Sequence, residues 1–366
     1  MGETDPGAKP KRRLSTKKRL TFMVLTLSVL LGGAELFFQV RRQIRQARKP
    51  RIPTRPDPYT GIALKKNARY ERADQNRRAT INALGFRGAE VGPKQPGRLR
   101  IACAGGSTTY GLYASDDDKT WPFKLGQRLS ERGHSVEVLN FGCPGWTSRS
   151  SATNLERKGY ALQPDVIVVY HAYNDLMSNL EDAYVERSEV DDPEQLKSPL
   201  PTASYLEYSA LLDFIASRIR KGPKEALKEK QDAFREQNVA AFKRNLRRIV
   251  RRGGEVGARV FLCTFPTCYR PTLERSRQDQ VPAIETWYEL CPMTYPNLIK
   301  GLARYNAAVR EVASETAATL IEIQQTYPMD VKLYASPLHH SDPGEELVAN
   351  YVADALEQGG ALKAKE

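Results

Sequence analysis

Five short apolar runs, "RIACA", "VEVLN", "DVIVVYH", "RVFLC" and "TLIEI", follow one another from residue 99 onward, each separated from the next by a longer stretch. β-branched side chains suit extended backbone, and runs that stay apolar at successive positions indicate strands covered on both faces. In the intervening stretches Val239, Phe242, Leu246 and Ile249 recur at helical spacing before Gly253 and Gly254. Leu298, Leu302, Tyr305, Val309 and Val312 do the same. Strand and helix in turn require right-handed crossovers, which cover a parallel sheet with helices on both faces. The predicted fold is α/β: a three-layer α/β/α sandwich around a mainly parallel five-stranded sheet, within residues 98–358. A chain of 366 residues is long enough to bury one large core, and no internal repeat is visible.

Ahead of this domain stands "LTFMVLTLSVLLGGAELFFQV", residues 20–40. As a helix at about 1.5 Å per residue it is long enough to cross the roughly 30 Å hydrocarbon layer. Its one ionisable residue, Glu35, lies near the distal end. The segment reads as a transmembrane helix or signal anchor in preference to a cleaved signal peptide, because the apolar run continues past Ala34. Either way the rest of the chain is expected outside the cytoplasm, in the periplasm or at the cell surface.

The net charge of +13 belongs almost wholly to the flanks of this segment, since residues 1–55 hold 14 Lys/Arg against 3 Asp/Glu. The folded part therefore lacks the basic excess of a nucleic-acid binder, and no nucleic-acid partner is expected. Residues 1–19 form a basic tail, and 41–97 a stalk and lead-in. The stalk carries four prolines between Pro50 and Pro58, with folded sequence starting near Tyr59. Residues 359–366 are a tail. An insertion, 179–237, breaks the alternation. Within it Leu206, Ala210, Phe214 and Ile219 could line one face of a helix packed on the domain, of a lid, or of a surface resting on the bilayer. The stretch 271–295 reads as another long loop near the sheet's active edge. The five cysteines (Cys103, Cys143, Cys263, Cys268, Cys291) match no zinc spacing, and the four histidines add no ligand pattern. No metal or cofactor is expected, and a disulfide could form among the last three cysteines.

Ligands of an open parallel sheet bind beyond the carboxyl ends of its strands, and the suggestive motifs all fall there. The first strand runs into "AGGSTT", placing Ser107 at the opening of a crossover. The sequence matches neither the lysine-bearing phosphate loop nor the G-x-S-x-G elbow, where Thr109 replaces the last glycine. Taken alone, Ser107 would be a helix N-cap. The second strand runs into "NFGCPGWTS", where Gly142 and Gly145 permit a sharp turn with outward amides. The third ends in "YHAYND", whose Asn174 amide could donate into the same crevice. After the fifth comes "SPLHHSDPG". His171 reads as a core or supporting residue, Cys143 as a small filler, and Trp121 as a core anchor opening a crossover helix.

Together these sites resemble the blocks of the SGNH hydrolases, the GDSL esterase/lipase superfamily. "GGSTT" resembles block I with Ser107, "NFGCPGWTS" block II with Gly145, "AYND" block III with Asn174, and "LHHSDPG" block V with His339. Gly344, five residues after His339, selects that histidine over His340. "INALGFRG" before block I is similar to the lead-in of membrane-anchored bacterial members. The resemblance implies a flavodoxin-like SGNH fold, Ser107 as nucleophile, His339 as base, and an oxyanion hole from the Ser107 and Gly145 amides with the Asn174 side chain. One position departs from the pattern: Ser336 stands three before His339, where the family has aspartate. That leaves a Ser-His dyad, or a carboxylate from elsewhere such as Asp330 or Asp342. The expected function is a membrane-anchored serine hydrolase cleaving an ester, with O-acyl groups of a cell-envelope carbohydrate as substrate. Two alternatives stand beside it, an O-acyltransferase using the same residues and a non-catalytic binding platform. Oligomeric state is left open.

Overall fold

The computed structural model describes residues 15–48, 52–182, 184, 188, 229–269, 281, 282 and 284–362. The chain divides into two units, one of residues 1–49 and 205–222 and one of 50–204 and 223–366. In the first, helix α1 (Thr16–Arg48) leaves its apolar side chains exposed, Phe22 at 70% and Val29 at 73% among them. Within Thr16–Arg41 an 18-residue window reaches a mean hydropathy of 1.9, and the segment is long and apolar enough to cross a membrane.

The second unit holds the sheet. Strands β1 (Thr54–Asp57) and β2 (Gly61–Leu64) form a small hairpin, and β3 (Ala68–Arg72) and β4 (Arg77–Ile81) a second. The first hairpin takes in part of the proline-rich segment, so folded sequence begins before Tyr59. Edge pairing tolerates Pro56 because only one side of the strand must donate.

The strands β5 (Leu99–Gly105), β6 (Val136–Gly142), β7 (Val166–Tyr170), β8 (Arg259–Cys263) and β9 (Thr319–Ile321) then form one five-stranded parallel sheet in the order β6-β5-β7-β8-β9. All seven residues of β5 and all five of β7 are buried, the expected state of strands covered on both faces. The chain order reverses at β5, whose two neighbours are reached by crossovers on opposite faces. A crevice opens at such a switch point beyond the carboxyl ends, and Ser107 stands at its lip.

Helices α2 (Ser107–Tyr110), α3 (Trp121–Glu131), α4 (Ser148–Asn154), α5 (Tyr173–Met177), α6 (Glu236–Glu255), α7 (Ile284–Glu289), α8 (Tyr295–Glu315) and α9 (Asp342–Gln358) complete the described helices of this unit. The helical repeats at 239–249 and 298–312 fall in α6 and α8, with Phe242, Ile249, Leu298, Tyr305 and Val312 fully buried. All five cysteines are buried thiols outside any disulfide, so the expected bridge among Cys263, Cys268 and Cys291 does not form. The four residues Leu206, Ala210, Phe214 and Ile219 lie outside the described residues, as do most of the 179–237 insertion and 270–280.

Two acidic residues of α9 tie the end of the chain to the serine loop. Asp342 accepts the Ser115 backbone N–H (2.9 Å) and the Ser115 hydroxyl (2.5 Å). Glu345, buried, accepts the backbone N–H of Trp121 at 2.8 Å. Burial pushes the Glu345 carboxyl up to about 8, against a Trp121 hydrogen bond that favours the charged form. A carboxyl raised on folding binds its proton more tightly in the native state. Its penalty is therefore absent below the ordinary pKa near 4.5 and grows as pH rises to about 8. Glu345→Gln keeps an acceptor for Trp121 without a charge, so its melting temperature should exceed the parent's by several degrees at pH 8.5 and match it near pH 4. Thermal unfolding at the two pH values checks this, and a gain of equal size at both would refute it.

Candidate active site

Ser107 is the first residue of α2, and its side chain is almost fully buried. Gly106 before it lets the neighbouring strand end close in. A Cβ there would lie 2.6 Å from Asn174 Nδ2 and 3.1 Å from the Trp146 carbonyl. The short helix is stopped at Gly111, whose N–H bonds to the Ser107 carbonyl. Arg87, from the "INALGFRG" lead-in, holds this stop in place from below. Its buried guanidinium donates to the Tyr110 and Gly111 carbonyls at 3.2 and 2.6 Å and pairs with Asp117 at 2.8 Å. The lead-in thus supports the serine turn mechanically.

His339 reaches Ser107 across 232 residues of sequence, with Nε2 2.7 Å from the Ser107 hydroxyl oxygen. A tight antiparallel pair, β10 (Tyr334–Ser336) with β11 (His339–His340), presents the two histidines to opposite sides. His340 turns inward, where its Nε2 and Nδ1 lie 3.0 Å from the Tyr170 hydroxyl and 2.8 Å from the Tyr327 hydroxyl. His339 Nδ1 lies 2.7 Å from Ser336 Oγ, which also accepts the His339 backbone N–H at 3.2 Å. The small side chain at 336 therefore anchors both the ring and the backbone of its histidine. Asp330 instead accepts the Lys332 N–H, and Asp342 holds Ser115. Among the described residues no carboxylate bonds to His339.

Burial holds His339 far below the ordinary imidazole value, at about 3, with His340 and Arg77 adding to the depression. The imidazole is thus neutral across the physiological range and able to accept a proton. Two aromatic rings flank it, Tyr113 at 5.0 Å and Trp287 of α7 at 4.9 Å between ring centres.

Gly145, at φ +85°, occupies a backbone region that favours glycine, and the turn brings Trp146 beside Asn174. Asn174, second residue of α5, donates one amide N–H to the Trp146 carbonyl at 2.8 Å, which aims the side chain back toward Ser107. Neither the Ser107 N–H nor the Gly145 N–H has an acceptor among the described residues. Asp175 underpins this corner. Fully buried, it accepts the Ser148 N–H and hydroxyl at 2.9 and 2.6 Å and the Tyr184 hydroxyl at 2.6 Å. It thereby couples the start of α4, just beyond the Gly145 turn, to α5. His171 bonds Ser151 at 2.7 Å and lines the cleft floor behind Ser107. Trp121 is fully buried at the start of α3, and Cys143 is buried beside the Gly145 turn.

Beside Ser107 the cleft is small and mixed in character, lined by Thr108, His171 and Asn174 together with Ala172, Tyr173, Phe265 and Leu338. A separate cavity of about 1000 Å³ lies along edge strand β6 near Phe123 and Val138 and contains none of these residues. Tyr113, Trp287 and Arg77 carried no motif in the sequence. Only their packing around His339 marks them.

No curated protein sequence matches the chain. Among solved structures, a lipase/acylhydrolase from Enterococcus faecalis is similar at 19% identity, covering 73% of this chain and 99% of that one with a TM-score of 0.43. An acetyl xylan esterase is similar at 12% identity, with coverage of 70% and 100% and a TM-score of 0.43. An esterase from Pseudoalteromonas sp. is similar at 12% identity, with coverage of 71% and 97% and a TM-score of 0.41. Residues 103–347 match the GDSL-like lipase/acylhydrolase family, a span that opens within β5 just ahead of Ser107 and closes within α9 just past His339, and to that family this chain belongs.

Proposed function

We propose that this acylhydrolase is a serine esterase anchored in a membrane by residues 20–40, acting outside the cytoplasm on short O-acyl groups of a cell-envelope carbohydrate. The observation that carries it is the 2.7 Å contact between His339 Nε2 and Ser107 Oγ in a buried cleft. Ser107 Oγ attacks the acyl carbon while its proton passes to His339 Nε2. The Ser107 and Gly145 amides, with the Asn174 amide, donate to the oxygen that gains charge. The carbon–oxygen bond to the alcohol then breaks, and the alcohol leaves with the proton from His339. Water, activated by the same imidazole, cleaves the acyl-serine and releases the acid. For this direction of transfer Nδ1 must carry a proton and donate it to Ser336 Oγ. The aromatic rings of Tyr113 and Trp287 beside the imidazole suit a sugar ring.

The test uses the full-length chain in detergent with a chromogenic acetyl ester and a fluorophosphonate probe. Covalent labelling at Ser107 together with turnover is the expected result. Turnover seen only when a sugar acceptor is present would make the enzyme a transferase, and absence of both labelling and turnover would overturn the proposal.

Ser336→Asp separates a weakened triad from a complete one. A carboxylate at 336 would accept the Nδ1 proton and stabilise the imidazolium, which the hydroxyl does only weakly. The variant is expected to raise kcat/KM on a neutral acetyl ester about tenfold or more and to move the acidic limb of the pH–rate profile upward. An unchanged rate and limb would show that His339 already has another anionic partner.

A further inference from the structure

Near the imidazole stands a charge that no carboxylate pairs with among the described residues. Arg77, at the start of β4, lays its guanidinium over the Tyr113 ring at 4.1 Å, and Tyr113 in turn contacts His339. The acids along this edge have other partners: Asp116 pairs with Arg78, Asp117 with Arg87 and Asp118 with Lys119, while Glu71 faces Arg78 in register. Among the described residues Arg77 has no carboxylate partner. On the other side of the imidazole, Ser336 offers a hydroxyl where a triad needs an anion. Among the described residues the site therefore has one cation without a carboxylate and one missing anion, separated by the Tyr113 ring and the imidazole.

We propose that the ester accepted here carries a carboxylate or comparable anion on its alcohol part, which pairs with Arg77 and so offsets the positive charge beside the imidazolium that forms on His339. The inference rests on the Ser107–His339 reading above and extends it to the substrate's charge. With a neutral ester, the proton taken from Ser107 creates a second positive charge in a buried site that already feels Arg77, and like charges in such surroundings repel strongly. With an anionic ester, the Arg77–substrate pair is neutral overall, and the same transfer meets no net repulsion. A planar guanidinium suits a carboxylate in particular, because two of its N–H groups can engage both oxygens. Bond making is unchanged: Ser107 Oγ acquires the acyl group, the alcohol oxygen acquires the proton, and the substrate anion only pairs. Within the substrate class proposed above, this selects acidic sugars over neutral ones.

The experiment compares para-acetoxybenzoate with its neutral methyl ester on the full-length protein in detergent, dividing each kcat/KM by the ester's own rate with hydroxide. The parent is expected to favour the anionic ester by tenfold or more, less so at high salt. Arg77→Met should reverse the order of effects, lowering the anionic rate about tenfold or more and raising the neutral one severalfold. Arg77→Lys should keep part of the preference. Ser336→Asp, which supplies the anion from the protein, should narrow the preference by raising the neutral rate alone. A purely structural role for Arg77 would lower both rates together, and that result overturns the inference, as does a parent with no preference or no turnover of either ester. Ser107→Ala separates the two failures. If it abolishes both hydrolyses while no anion preference exists, only the present inference falls; if it leaves either intact, the nucleophile assignment falls as well.

Discussion

Ser107→Ala is expected to lower kcat/KM for an acetyl ester by about 10³–10⁵-fold and to abolish fluorophosphonate labelling. The range follows from how such residues act as a unit. In a complete triad, losing the serine costs about 10⁶, whereas a triad already without its aspartate has only about 10² left to lose. Here the imidazole keeps an anchor, Ser336 Oγ at 2.7 Å from Nδ1, but the anchor is neutral, which puts the cost between those limits. His339→Ala should cost a similar factor. The double variant should be no worse than either single one, because an alcohol without its base and a base without its alcohol are equally idle. Steady-state rates of the three variants at one pH check this. A double variant that loses the product of the two single losses would show that the residues act independently, against the 2.7 Å contact.

The second large effect is expected from Asn174→Ala, a fall in kcat of about 10²–10³ with KM little changed. A donor aimed at the oxygen that becomes charged contributes mainly in the transition state, and removing one such donor typically costs that much. Asn174 is held for the task by its bond to the Trp146 carbonyl, so it need not reorganise when the charge appears. Asn174→Asp should be at least as damaging, because it replaces a donor by an anion beside a developing anion. The ratio of kcat to KM effects is the measurement. A loss confined to KM would assign Asn174 to ground-state binding.

Much of the architecture was legible because it depends on local and nearly local chemistry. A run such as "DVIVVYH" can be satisfied only where both faces are covered, and β7 is buried throughout. Strand followed by helix leaves few topologies, and the five-stranded parallel sheet is among them. The hairpin of β1 and β2 was less legible, because prolines read as an extended stalk whether or not the strand finds an edge partner. The expected disulfide fails for a similar reason. Cysteine count and compartment allow it, but whether two sulfurs meet depends on where three separate loops pack, and here the thiols are buried without bridging.

The candidate site divides in the same way. Block-like motifs at strand ends directed attention to Ser107, Gly145, Asn174 and His339, because a parallel sheet collects its loops at one edge whatever their sequence. The choice between His339 and His340 depends on the two-residue period of β11, which turns one ring to Ser107 and the other to Tyr170 and Tyr327. Asp342 could not be read as a clamp on Ser115, since nothing in "SDPG" reveals a partner 227 residues away. Arg77, Tyr113 and Trp287 come from three segments with no shared pattern.

The amino-acid order by itself determined the class of fold, the apolar N-terminal segment and which loops would gather at one edge, since apolar period and strand–helix alternation act over a few residues at a time. Only the tertiary structure decided which ring meets the serine, that Ser336 anchors it, and that Arg77 finds no carboxylate among the described residues. Hydrogen bonds and ion pairs require contact at about 3 Å between groups far apart in the chain, and packing is what brings them there.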